Sequence, residues 1–184
     1  MVSRPIRAPS NMYWLLIDVS GLANKPGATQ NLSASGPIEG LRGGLGWVED
    51  EDPVRVNLTF ESFNEGIDVT GNARGLLHLH CSRCLVEFEE TFERRLNETF
   101  YFDASVAEQR EGYEVQGSVI DLEPMLRDAI VLDIPAKPLH KPDCRGLCPV
   151  CGVDLNSAEG EHRHEQSDPR WGPLRDLLER SQEA

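Results

Sequence analysis

The chain has 184 residues and a formal net charge of −13, with 31 acidic side chains against 18 lysines and arginines. This charge argues against a general nucleic-acid binder, which normally carries a basic face, and it favours a protein that meets a basic partner. A membrane-spanning helix needs roughly eighteen consecutive apolar residues. The chain has no such run and no apolar signal core near its N-terminus, so we expect neither a membrane span nor a secretory peptide.

The first fifty residues predict little regular structure. The apolar run over residues 13–19 is typical of a short strand. Residues 21–46 are rich in glycine, which favours a loop with short extended pieces. The glycine-rich stretch 41–46 lacks the lysine and hydroxyl residue of a phosphate-binding loop, and it matches no dinucleotide-binding pattern.

The middle of the chain predicts antiparallel sheet. Apolar and polar residues alternate over 54–60, as in a half-buried strand. A second strand over 67–79 leads into Cys81-Ser-Arg-Cys84, and a third strand follows that motif. The motif therefore lies at the tip of a hairpin. We expect His78 and His80 on the face opposite the leucines, because they alternate with them.

The last third of the chain predicts a helix and a connecting loop before it. Residues 103–118 are polar and favour a mobile loop, whereas Asp121 can cap a helix that ends near Asp133, since Pro135 follows. A short terminal helix is predicted over 168–178. Together these elements predict an α+β fold, in which an antiparallel sheet carries one or two packed helices and a zinc-ribbon-like pair of CxxC knuckles.

Five cysteines form two CxxC motifs and one single residue, Cys144. Two CxxC knuckles can place four thiolates at the corners of a tetrahedron, which is the geometry that Zn²⁺ prefers. We therefore predict a structural Zn²⁺ ion held by Cys81, Cys84, Cys148 and Cys151. A knuckle subregion over residues 137–156 would then join the hairpin tip at 81–84. Four thiolates leave no open position for a catalytic water.

The same sequence allows other arrangements of the cysteines. Cys144, Cys148 and Cys151 could supply three ligands by themselves, with His162 or His164 as the fourth, while the first motif is left out or binds a second ion. A redox pair is disfavoured, because Cys81-Ser-Arg-Cys84 lies between two strands and not between a strand and a helix. The odd cysteine count and CxxC spacing favour the reducing cytoplasm over a disulfide scaffold.

No motif indicates catalysis. The chain has no nucleophile elbow, no His-Glu-x-x-His helix and no phosphate loop followed by lysine. We therefore expect a protein that is not an enzyme and takes no small-molecule substrate. Arg83, inside the first knuckle, either contacts a phosphate or a partner carboxylate or is simply exposed.

The order of these motifs resembles that of the YceD family, the large ribosomal RNA subunit accumulation proteins of bacteria and plastids. The matching pieces are the strand into Cys81-Ser-Arg-Cys84-Leu, the helix start Asp121-Leu-Glu-Pro, the segment Cys144 to Leu155, and Asp168-Pro-Arg-Trp. The resemblance covers most of the chain from residue 13 to residue 178. It implies a single YceD-like domain over residues 1–184.

The resemblance also implies a function. It predicts a cytoplasmic ribosome assembly factor that supports the synthesis, processing or stability of 23S ribosomal RNA. The partner would be a large-subunit precursor, the 23S RNA itself or a basic ribosomal protein, and Arg83, Arg145 and Lys141 are candidate contacts. The alternative is an unrelated zinc-ribbon module for protein interaction.

Overall fold

The computed structural model describes residues 13–158, 160, 162–164, 170 and 172. Regular structure in these residues comprises nine strands, two α-helices and a 3-10 turn at Tyr13–Leu15. The strands are β1 (Leu16–Asp18), β2 (Thr29–Gly36), β3 (Arg42–Gly43), β4 (Gly46–Trp47), β5 (Val54–Ser62), β6 (Gly66–His80), β7 (Glu87–Tyr101), β8 (Tyr113–Glu114) and β9 (Val119–Asp121). The helices are α1 (Ala104–Gln109) and α2 (Glu123–Asp133).

The hairpin of β6 and β7 organises the large sheet. Each of these strands has 15 residues, and they pair antiparallel along their whole length. On the other side of β6, β5 pairs with its first part and β2 pairs with β5. Strand β4 pairs with the end of β6, and β3 pairs with β4. The short β8 joins only the last two residues of β7. Along residues 87–99, β7 therefore has no second neighbour among the described strands.

One face of this sheet is buried under α2 and the N-terminal segments. In β5 every second residue from Val54 to Ser62 is buried, which confirms the strand predicted from the alternation over 54–60. Helix α2 contributes Met125, Leu126 and Ile130 to the same hydrophobic cluster. The separate pair of β1 and β9 closes this core at its edge, with Leu15 and Ile120 fully buried.

The opposite face of the hairpin carries charged side chains. The register places His78 beside Glu89 and His80 beside Glu87, and Glu93 follows on the same face of β7. The predicted hairpin, with the two histidines facing away from the leucines, is thus confirmed. We call the face that carries the exposed side chains of Glu87, Glu89 and Glu93 the acidic outer face.

The predicted fold class is wrong, because the chain is mostly β-sheet. The glycine-rich residues 21–46, expected as loop, contain β2, which pairs with β5 over all eight of its residues. Its exposed and half-buried side chains are mainly small or polar, but a strand pairs through backbone hydrogen bonds and needs no apolar pattern at an edge. Residues 103–118, also expected as loop, contain α1 and β8.

The zinc ribbon is not shown either. The first CxxC motif lies at a hairpin tip as expected, but the second lies in a loop segment whose only described bridge joins Leu147 to Asp154. A ribbon needs strand hairpins under both knuckles, and the loop segment does not supply the second one.

The remaining elements lie close to their predicted places. The strand expected over 13–19 is shorter, because a 3-10 turn precedes β1. Helix α2 ends at Asp133 as predicted, but its N-cap is Leu122 and not Asp121. Asp121 ends β9, and its carboxylate accepts a hydrogen bond from the Glu123 N–H at 3.0 Å. The helix expected over 168–178 falls outside the described residues. None of the helices in the described part of the chain has the length and apolar character needed to span a membrane.

Candidate metal centres

The first knuckle, residues 81–86, closes the β6–β7 hairpin. The N–H of Leu85 donates to the carbonyl of Cys81 at 2.9 Å, and the N–H of Cys81 donates to the carbonyl of Val86 at 2.9 Å. Leu85 has a φ of 62°, a left-handed conformation that non-glycine residues rarely adopt. The sequence therefore forms a tight turn that holds Cys81 and Cys84 at one end of the hairpin.

The second knuckle, residues 148–153, repeats this hydrogen-bond pattern. The N–H of Gly152 donates to the carbonyl of Cys148 at 2.8 Å, and the N–H of Cys148 donates to the carbonyl of Val153 at 2.8 Å. Gly152 has a φ of 73°, which glycine adopts without steric strain. The N–H of Val150 also lies 3.5 Å from the sulfur of Cys148, within reach of a weak hydrogen bond.

The loop after α2 is fastened to the first knuckle. The Arg83 guanidinium donates to the carbonyl of Cys144 at 2.7 Å, and the carbonyl of Arg83 accepts from the N–H of Leu147 at 3.0 Å. Gly146 passes so close that a Cβ built there would lie 2.9 Å from the Arg83 carbonyl oxygen. These contacts bring Cys144 to the hairpin tip, although it is far from that tip in sequence.

Four ligands meet where this loop contacts the tip. We call Cys81, Cys84, His140 and Cys144 the inner group, and their ligand atoms all lie within 4.8 Å of one another. The sulfurs of Cys81 and Cys144 are 3.7 Å apart, and the Cys84 sulfur is 3.3 Å from Nδ1 of His140. With Zn–S bonds of about 2.3 Å, tetrahedral coordination places two sulfurs about 3.8 Å apart. The distance between the sulfurs of Cys81 and Cys144 thus matches that of two thiolates on one Zn²⁺ ion.

A second set of four ligands lies beside the second knuckle. We call Cys148, Cys151, His162 and His164 the outer group, and their ligand atoms also lie within 4.8 Å of one another. Nε2 of His162 and Nε2 of His164 are 2.8 Å apart, and each lies 3.3 Å from the Cys151 sulfur. Two imidazoles and a thiol that aim their ligand atoms at one point are typical of a metal site.

The structure divides the four predicted ligands between these groups. Cys81 and Cys84 belong to the inner group, whereas Cys148 and Cys151 belong to the outer group. The sequence alternative placed Cys144 with the second motif, but Cys144 lies with the first. Metal binding by the four predicted cysteines stays a prediction.

Sequence reasoning missed His140. His140 could have been found from its position four residues before Cys144, a spacing common among zinc ligands. The two CxxC motifs instead favoured a prediction of four thiolate ligands.

Burial and hydrogen bonds set the protonation of the cysteines. Burial raises the pKa of Cys84 to about 11. At Cys81, burial also opposes the thiolate, but hydrogen bonds from the His140 side chain and from backbone groups lower the pKa to about 5. Hydrogen bonds from the N–H groups of Cys151 and Val150 lower the pKa of Cys148. Each CxxC motif therefore holds one thiol whose pKa is lowered, which favours the thiolate form that binds metal.

The surroundings of the inner group fit a metal ion better than a disulfide. All five cysteines are free, and the 3.7 Å between the sulfurs of Cys81 and Cys144 far exceeds a disulfide bond of about 2.05 Å. Phe88, Leu139 and Leu147 pack against the buried cysteines and limit access of water. Among the described residues, the inner and outer groups could each hold a metal ion through thiolate and imidazole ligands.

Comparison with known proteins places the chain in a family. The model for "Large ribosomal RNA subunit accumulation protein YceD" matches residues 69–178, a span that includes every ligand of both groups. The chain therefore belongs to the YceD family, as its motif order predicted.

Its relatives span bacteria and a plant. An uncharacterized protein of Mycobacterium tuberculosis is 38% identical over 171 residues, which cover 89% of this chain and 81% of the relative. An uncharacterized protein of Mycobacterium leprae is 32% identical over 170 residues, with 89% and 77% covered. The chloroplastic "Large ribosomal RNA subunit accumulation protein YCED homolog 1" of Arabidopsis thaliana is 33% identical over 64 residues, which cover 35% of this chain and 20% of the relative. No solved structure matches the chain.

Proposed function

We propose that this protein is a cytoplasmic assembly factor for the large ribosomal subunit, supporting the synthesis, processing or stability of 23S ribosomal RNA. The observation that carries the proposal is the match of residues 69–178 to a family described by large ribosomal RNA accumulation. The protein would act by binding a large-subunit precursor or by escorting a basic ribosomal protein. Of these two, the charge of the chain favours the basic protein.

The acidic outer face supports contact with a basic protein. Glu87, Glu89 and Glu93 are exposed on one face of the long hairpin, where Glu93 also pairs with Arg74 at 2.6 Å, and the chain carries a net charge of −13. Complementary charge accelerates encounter and weakens as salt increases. RNA contact would instead use basic side chains near the knuckles. Of the candidates, Arg83 and Arg145 are exposed and Lys141 is half-buried, and the Arg83 guanidinium also donates to the Cys144 carbonyl.

We propose a structural role for the metal and no catalytic activity. Each group offers four protein ligands, so a tetrahedral Zn²⁺ ion there would have no position left for a reactive water. The inner group would fix the loop after α2 to the hairpin tip. The ion would thereby shape a docking surface at that end of the molecule.

Crosslinking in cells tests the ribosomal role. The tagged full chain is crosslinked, purified and analysed for bound RNA and protein. We expect enrichment of 23S precursor RNA or of large-subunit proteins over their small-subunit counterparts. Recovery of polymerase or protease subunits instead would contradict the proposal and favour a different interaction module. The structure does not show a zinc ribbon in such a module.

Two matched variants separate the kinds of partner. The triple variant Glu87→Lys, Glu89→Lys and Glu93→Lys reverses the acidic outer face, whereas Lys141→Ala with Arg145→Ala removes positive charge near the knuckles. If a basic ribosomal protein is the partner, only the first variant loses it. If RNA is contacted directly, only the second variant loses RNA.

A further inference from the structure

The two ligand groups are each complete. The inner group supplies three sulfurs and one nitrogen, and the outer group supplies two sulfurs and two nitrogens. Zinc in structural sites takes four ligands, so neither group needs a cysteine from the other. A single ion bound by the four cysteines of the CxxC motifs would leave His140, His162 and His164 without a ligand role.

The two groups differ in what they connect. The inner group joins the hairpin tip, at Cys81 and Cys84, to a loop about sixty residues later in the chain, so an ion there crosslinks distant parts of the fold. The outer group lies entirely within residues 148–164 and connects only a local segment. Removing an ion from the outer group would therefore leave the sheet and its core in place.

The groups also differ in exposure. The three cysteines of the inner group are buried, and Phe88, Leu139 and Leu147 pack against them. In the outer group Cys148 is buried but Cys151 is exposed. A chelator in solution reaches an ion through exposed ligands, so the outer group is open to it and the inner group is shielded.

We propose that the chain binds two zinc ions of different lability, an inner ion that is retained with the fold and an outer ion that exchanges with solution while the sheet stays folded. The inner ion is held by Cys81, Cys84, His140 and Cys144. The outer ion is held by Cys148, Cys151, His162 and His164. This inference rests on the proposed metal binding but not on the ribosomal role.

Counting bound ions tests the number of sites. The full chain is loaded with Zn²⁺ and examined by native mass spectrometry. We expect two ions per chain. The double variant His162→Asn with His164→Asn should hold one ion, and so should His140→Asn. A single ion bound by the four CxxC cysteines predicts one ion in the unaltered chain and no loss in either histidine variant, and that result would overturn the proposal. A chain that binds no zinc would overturn both metal proposals and leave the ribosomal role intact.

Chelation kinetics test the difference in lability. A chromogenic zinc chelator is added to the loaded chain, and zinc release is followed together with the far-ultraviolet circular dichroism. We expect a fast phase with an unchanged sheet signal, then a slow phase. The His162/His164 double variant should lose the fast phase alone. Release in one phase, or loss of the sheet signal during the fast phase, would contradict the inference. Because this variant leaves the inner ligands intact, the test does not depend on His140→Asn folding.

Discussion

Leu85 and Gly152 occupy equivalent positions in the two knuckles. Each donates its N–H to the carbonyl of the first cysteine of its motif, Cys81 or Cys148, and each has a left-handed φ, 62° at Leu85 and 73° at Gly152. Glycine adopts this conformation freely, whereas a leucine there has its Cβ close to the following carbonyl. The first knuckle therefore carries backbone strain that the second avoids.

Replacing Leu85 by glycine should stabilise the protein. The left-handed strain would disappear, and little burial would be lost because Leu85 is 60% exposed. After the larger entropy of glycine in the unfolded chain is subtracted, we expect a gain of about 0.5–1 kcal/mol in the free energy of unfolding. Urea denaturation of the zinc-loaded protein measures this gain in the free energy of unfolding.

The reverse change, Gly152→Leu, is the matched control. A Cβ at Gly152 would meet no atom within 4 Å, so any cost must come from the backbone conformation. We expect a loss of about 1 kcal/mol. If Leu85→Gly destabilises the protein as much as Gly152→Leu does, the two knuckles do not share this turn geometry.

Truncating Leu126 in α2 should be costly. Its side chain is fully buried in the main core, and Leu126→Ala would leave a cavity there. We expect a loss of about 2–5 kcal/mol. Leu132→Ala, at an 83% exposed position of the same helix, should change stability by less than about 0.5 kcal/mol. Equal effects of the two variants in thermal or urea unfolding would show that α2 does not pack as described.

Removing the Arg83 side chain should loosen the loop after α2. Its guanidinium donates to the carbonyl of Cys144, and Arg83→Met keeps much of the side-chain length but not the hydrogen bond. We expect a loss of about 1–2 kcal/mol, in the range for a hydrogen bond from a charged donor. Hydrogen exchange around residues 139–147 should rise as well. Arg83 and Arg145 are both exposed, but among the described residues no hydrogen bond from the Arg145 side chain is seen, so Arg145→Met is the control. A similar effect there would contradict the role of Arg83.

The pair of His78 and Asp52 should make stability depend on pH. Nε2 of His78 lies 2.8 Å from the Asp52 carboxylate, and this hydrogen bond raises the pKa of His78 above its ordinary 6.5 despite partial burial. Because the folded pKa is raised, the stabilisation is complete below the unfolded pKa of 6.5 and is lost as the pH rises through the folded pKa.

The variant Asp52→Asn tests whether the stabilisation decreases as the pH rises. The unaltered chain should be more stable than the Asp52→Asn variant. This difference in the free energy of unfolding should be larger at about pH 6 than at about pH 9, by a few tenths to about 1 kcal/mol for a partly exposed pair. Denaturation curves at several pH values provide the measurement. A difference that is constant, or that grows with pH, would show that the pair does not stabilise the protonated histidine.

The strands of the central sheet could be predicted because their side chains report which face is buried. The alternation in β5 and the leucines of β6 identify strands and a hairpin tip without further information. Strand β2 gave no such signal, since its side chains stay exposed or half-buried and its pairing runs through the backbone. Helix α1 has only six residues, too few for a clear apolar period.

The sequence identifies most of the candidate metal ligands, but it does not show how they divide into the inner and outer groups. CxxC spacing identifies Cys81, Cys84, Cys148 and Cys151 as ligand candidates wherever they lie in the fold. The grouping depends on the loop after α2, which carries His140 and Cys144 to the hairpin tip through contacts with Arg83. No local pattern encodes those contacts, because they join segments far apart in sequence.

The side of β7 along residues 87–99, which no described strand covers, bears on how the protein behaves at high concentration. Unpaired backbone groups along a strand invite another chain to add to the sheet and begin aggregation. More than half of residues 87–99 are charged, with glutamates outnumbering arginines, so two copies of this strand would bring like charges together. We expect this repulsion to disfavour pairing of β7 between two copies of the chain, and neutral replacements along β7 to promote it.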